Sequence, residues 1–144
     1  MTSTRSTRTR RNEALGALEV IGRYLAAVRR GDWEAAYGFF ADDLVAHVPG
    51  RSALAGELRG RDAAIAYVEA ARAKSHGAEV EVELIDMLSS EERVMLLVRE
   101  RFGIEGGVVE IGRANVYTVR DGAVVEVWIF EADQYAVDEL MAEA

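Results

Sequence analysis

Arg23-Tyr24-Leu25 through Gly31-Asp32-Trp33 to Ala41-Asp42-Asp43, followed by Val45-Ala46-His47-Val48-Pro49-Gly50, decides the fold. It reads as helix, Gly-Asp turn, second helix, acidic turn and strand. Upstream, Leu15, Leu18, Ile21, Leu25 and Val28 repeat at three-and-four spacing, which predicts a helix over 13–30 with one apolar stripe. Arg29 and Arg30 fall at its carboxyl end, where the helix dipole favours cations, and Gly31 supplies a left-handed stop. Asp32 is placed to cap a second helix whose buried side is Ala35, Ala36, Phe39 and Phe40 and which stops near Ala41. A short strand over 44–48 ends at Pro49-Gly50, and 51–60 reads as an irregular, glycine-containing connector. A third helix over 61–74 carries Ala64, Ile65, Val68 and Ala71 on its apolar side.

Downstream the period changes to two. Glu79, Glu81 and Glu83 alternate with Val80, Val82 and Leu84, a strand with one wet and one dry face. The unbroken run 94–98 predicts a strand covered on both sides. Gly106-Gly107 turns the chain into a strand over 108–119, Asp121-Gly122 is a two-residue hairpin signal, and 123–130 returns, giving an antiparallel meander. Residues 133–141 form a short helix or an extended arm, with Tyr135, Val137 and Leu140 packing back.

Composition bounds the functional classes. The 144 residues fit one domain, read as 13–144 behind a basic tail at 1–12. Four arginines and no acid in that tail leave the rest of the chain at −12, against −8 overall. An acidic body repels a phosphate backbone, so no nucleic-acid partner is expected. The tail reads as a solvated disordered leader or as a docking arm. No apolar run approaches the ~18 residues of a membrane span and no hydrophobic signal segment follows Met1, so a cytoplasmic protein with no membrane partner is expected. The chain has no cysteine, which removes disulfides, thiolate zinc sites and thiol catalysis. His47 and His76 sit on unrelated segments and do not make a metal site. No Gly-rich phosphate loop or nucleophile elbow is present, and no cofactor is expected.

The helix–turn–helix–strand opening and strand-rich second half resemble the NTF2-like superfamily over roughly residues 14–141. This is the fold of ketosteroid isomerases and SnoaL-type polyketide cyclases. The resemblance implies an α+β, cystatin-like cone: a curved antiparallel sheet packed on three N-terminal helices, enclosing a pocket. It also implies a homodimer formed through the opposite sheet face.

Compared without gaps with the isomerases, Tyr24 matches the tyrosine that donates a hydrogen bond to the oxyanion; the alternative is a core tyrosine. Asn115 falls where the isomerases keep a protonated aspartic acid as second donor, a pair that is a standard example of pKa tuning. Val48 occupies the place of the general-base aspartate, so that base is missing. His47, within a His47-Val48-Pro49-Gly50 stretch similar to the H-x-P-G of many SnoaL-like proteins, is a candidate base. Strand alternation sends it outward if Val48 points inward, unless a bulge intervenes.

On the last strand Ile129 stands where relatives often carry an acid. If Val127, Ile129 and Glu131 face inward, the pocket is apolar there. Glu131 at its mouth is then either an acid with a raised pKa or an exposed carboxylate. Arg113 shares the parity of Asn115 and Tyr117 and meets either the ligand or a structural carboxylate such as Asp86 or Glu100. Trp33, Phe39, Phe40 and Trp128 fit core or interface better than ligand platforms.

Two functions follow as expectations. The first is enolisation followed by cyclisation or isomerisation of a polyketide-like or other apolar oxygenated metabolite. Tyr24, Asn115, His47 and Glu131 would be catalytic, with Val48, Arg113, Tyr117, Val127 and Ile129 binding the ligand. The second is a non-catalytic ligand-binding or accessory protein using the same pocket, which the two missing acids favour.

Overall fold

The computed structural model describes residues 15–75 and 80–142. The basic tail and His76 lie outside the described residues. Helices α1 (Ala17–Arg29) and α2 (Trp33–Tyr37) lead into strands β1 (Phe40–Val48) and β2 (Gly56–Arg59). Helix α3 (Arg61–Arg72) follows, then strands β3 (Glu81–Ser89), β4 (Arg93–Ile104), β5 (Gly107–Arg120) and β6 (Ala123–Glu131), and finally helix α4 (Gln134–Ala142). The strands form one sheet in the order β2-β1-β6-β5-β4-β3. From β3 to β6 it is the expected meander. β1 joins β6 in parallel, with His47 beside Trp128, so one pairing of the otherwise antiparallel sheet runs the other way.

Local chemistry explains most boundaries. Asp32 Oδ1 accepts the amide of Ala35 at 3.2 Å and starts α2. Asp121 and Gly122 have φ of 52° and 74°, the pair of left-handed residues that a tight hairpin requires. α2 ends at Tyr37 instead of near residue 41 because the sheet claims the next residues: Phe40 pairs with Val124, and the amide of Val124 donates to the carbonyl of Phe39 at 2.8 Å. Tertiary pairing thus overrides a helical pattern. The connector 51–60 contains β2, a four-residue antiparallel edge on β1 too short to show alternation. A fourth helix, α4, joins the three N-terminal ones.

The core lies between α1 and the inner sheet face. Val20, Ile21 and Leu25 pack with Leu44, Val94, Leu96 and Val98, and each large aliphatic side chain removed from water contributes roughly 1.5–3 kcal/mol. A second cluster joins Phe102 and Ile111 to Val137, Leu140 and Met141 of α4. That helix is pinned to the end of β1, where the amide of Arg51 donates to Asp138 Oδ1 at 3.1 Å. Gly50, at φ 105°, has no room for a Cβ beside Asp138 and Gln134.

The outer face carries a cross-strand row in register: His47, Trp128, Val116, Met95 and Leu88. Trp128 is 40% and Leu88 49% exposed, with Phe130 beside them at 54%. Among the described residues no helix is long and apolar enough to cross a membrane.

Candidate functional site

Between α1, α3 and the inner sheet face lies a cavity of about 130 Å³. At roughly 30 Å³ per water in the liquid, the cavity has room for about four waters. Its walls are mostly hydrocarbon, with Leu25, Leu44, Ala46, Ala64, Leu96 and Val98 among the lining residues. The polar groups fall into two sets that meet at β5.

The first set is Tyr24, Tyr117 and Asn115. The rings of Tyr24 and Tyr117 are 5.6 Å apart, and Tyr24 lies 5.8 Å from Phe40. The Tyr24 and Asn115 side chains both lie close to the Tyr117 hydroxyl. Burial pushes the pKa of both phenols up, so both are neutral donors at any physiological pH. Asn115 Oδ1 is buried and has no hydrogen-bond partner in the protein. The unpartnered atom of this amide is an acceptor, whereas the sequence suggested a second donor beside Tyr24.

The second set centres on Arg113, whose side chain is only 5% exposed. Its Nε donates to Glu131 Oε1 at 3.0 Å, Nη2 lies 3.0 Å from Glu131 Oε2, and Nη1 lies 3.4 Å from Glu100 Oε1. Tyr67 of α3 lies close to the guanidinium. Burial works against the charge, but attraction to Glu100, Tyr67 and Glu131 outweighs it and raises the pKa of Arg113. Burial also raises the pKa of Glu131, against the opposing pull of Arg113. Nε makes the hydrogen bond that holds the pair together, while Nη2 is in ion-pair range without an aligned hydrogen bond.

Of the residues singled out from sequence, Tyr24, Asn115, Arg113, Tyr117, Val127 and Ile129 line this one cavity. Three do not. His47 lies on the outer face, where its Nε2 is 2.8 Å from Glu126 Oε2 and its ring stacks on Trp128 at 3.6 Å. β1 keeps strict alternation across 44–48, with Leu44, Ala46 and Val48 inward, so no bulge turns the imidazole round. Val48 points inward but is packed in the core rather than bordering the cavity. Glu131 does not stand at a pocket mouth: its side chain is 1% exposed and closed off by Arg113.

Glu100 and Tyr67 are polar lining groups that were not assigned to the pocket from sequence. Glu100 follows Leu96 and Val98 on the inward parity of β4, a pattern hidden by the continuous apolar run before it. Tyr67 lies three residues beyond Ala64 on the apolar side of α3. Trp33, assigned to the core, also lines the cavity, with the Arg72 guanidinium 4.2 Å above its ring. Among the described residues no three His, Asp or Glu side chains group as metal ligands.

Comparison with known proteins agrees with this architecture. The chain is 33% identical to the uncharacterised protein Rv0034 of Mycobacterium tuberculosis, over 87% of this chain and 95% of that one. Bal32a, from a soil-derived mobile gene cassette, superposes with a TM-score of 0.77 at 27% identity, covering 92% of this chain and 98% of its own. Rv0760c of M. tuberculosis, solved in complex with estradiol-17beta-hemisuccinate, superposes with a TM-score of 0.64 at 20% identity, over 79% and 92% of the two chains. The SnoaL-like domain family matches residues 21–127. The chain therefore belongs to the SnoaL-like family and has the NTF2-like, cystatin-like α+β cone.

Proposed function

We propose that the chain binds a small, largely apolar, oxygenated metabolite, polyketide-like in character, in the cavity between α1, α3 and the sheet. The observation that carries this reading is the wall itself: hydrocarbon on most sides, with polar atoms converging from Tyr24, Tyr117 and Asn115. Such a lining desolvates a ligand cheaply and orients it by a few hydrogen bonds. The same fold holds a steroid derivative in Rv0760c. Ala64 lines the cavity with its small side chain, so Ala64→Phe fills the space. Isothermal titration with bicyclic alcohols and ketones should show binding to the wild type and none to this variant. Equal binding by both would place the ligand elsewhere.

A second reading, enolisation-driven cyclisation or isomerisation, is favoured by Glu100, the one carboxylate among the described lining residues. The two proton-transfer groups suggested by sequence are displaced: His47 lies on the far face and Glu131 is closed behind Arg113. In this reading Glu100 takes the α-proton of a ketone while the Tyr117 hydroxyl stabilises the enolate oxygen, an interaction typically worth ~10²–10³ in rate. Deuterium exchange at the α-carbon of a cyclic ketone, followed by NMR, tests it. Glu100→Gln should abolish enzyme-dependent exchange, and unchanged exchange removes this reading.

Under either reading we propose a homodimer through the outer sheet face. The row from His47 to Leu88, with exposed Trp128 and Phe130, supports it. Association is driven by covering such aromatic surface.

A further inference from the structure

Asn115 Oδ1 and the Tyr117 hydroxyl make an unequal pair. The asparagine oxygen is buried without a protein partner. The Tyr117 hydroxyl, two residues on along the same face of β5 and lining the same cavity, is a neutral phenol with a proton to give. A buried acceptor left unpaired is costly, and one beside a free donor is best satisfied by a single group that both donates and accepts. A hydroxyl does this; a ketone or ether oxygen only accepts.

Charge narrows the choice further. Arg113 is the buried cation of the site, and its single charge is already offset by two carboxylates, Glu131 and Glu100. An anionic ligand would meet one cation against two carboxylates at this end of the cavity and would be desolvated beside Glu100.

We infer, building on the binding reading above, that the cavity is selective for a neutral ligand bearing a hydroxyl. Its O–H is donated to Asn115 Oδ1 while its oxygen accepts the proton of Tyr117. Asn115 is then the residue that sets specificity, and it does so as an acceptor.

The test compares β-tetralol with β-tetralone, the methyl ether of β-tetralol and the corresponding tetralin carboxylic acid, by isothermal titration at neutral pH. β-Tetralol should bind the wild-type protein about ten- to a hundredfold more tightly than the ketone or the ether, and the carboxylate should bind least. In Asn115→Leu the alcohol should fall to the level of the ketone, with circular dichroism reporting whether the variant is folded. The wild-type comparison stands without the variant. Equal or tighter binding of the ketone overturns the inference, because it means that the amide presents its nitrogen. If all four bind alike and Ala64→Phe abolishes binding, the cavity reading survives and the hydroxyl selectivity fails. If none binds, both fail together.

Discussion

Replacing Arg113 with methionine removes the cation from a cluster in which two carboxylates converge on it, one with a side chain 1% exposed and the other 16%. The methionine fills much of the same volume, so the dominant loss is electrostatic. Breaking a buried pair by deleting one partner costs about 3–5 kcal/mol, because the partner left behind is desolvated and unpaired. For a chain of this length that corresponds to a fall in Tm of roughly 10–17 °C at neutral pH. The loss should depend on pH with a definite sign. Glu131 already titrates above its ordinary value of 4.5 because burial outweighs Arg113, and without Arg113 it titrates higher still. A carboxyl raised in the folded state contributes stability that is complete below its unfolded pKa and lost as pH rises through the folded one. The deficit of Arg113→Met against wild type should therefore be small near pH 4.5 and grow toward neutrality. Circular dichroism melts across that window measure it, and Arg113→Lys, which keeps the charge but not the Nε hydrogen bond, should lose less. A deficit equal at both ends, or none at all, would refute the buried-cluster argument.

Three further outcomes are expected. Gly122→Ala places a Cβ at φ 74° in the β5–β6 turn and should destabilise by about 1–2 kcal/mol in a urea titration. Asp32→Ala removes the oxygen that accepts from the Ala35 amide and should cost about 1 kcal/mol in the same assay. The double variant Trp128→Lys, Phe130→Lys puts charge into the apolar outer row and should convert the proposed dimer to monomer in sedimentation equilibrium; a wild-type monomer at micromolar concentration would remove the dimer proposal.

How far the sequence was legible depended on whether a residue's environment is set locally. Periodicity of three-and-four and of two located α1, α3 and the meander, and Asp32 and Asp121-Gly122 marked boundaries by their own chemistry. Parity along β5 brought Arg113, Asn115 and Tyr117 to one face, and alternation correctly opposed an inward His47. What escaped was set by distant partners. Pairing of Phe40 with Val124 shortened α2, and β2 exists only because β1 offers it an edge. Glu131 is sealed by an arginine 18 positions away. Glu100 was visible as a partner for Arg113 but not as a cavity group, since the apolar run before it gave no alternation to read. That Asn115 Oδ1 is left buried without a partner depends on every element around the cavity, which no local pattern reports.

The most direct measurement is a crystal structure of the protein soaked with β-tetralol. The hydroxyl oxygen should sit within hydrogen-bonding distance of both Asn115 Oδ1 and Tyr117 Oη, with its rings against Leu96 and Val98. Density for the alcohol only on the outer sheet face, or Tyr24, Tyr117 and Asn115 packed together with no space between them and α3, would contradict the account.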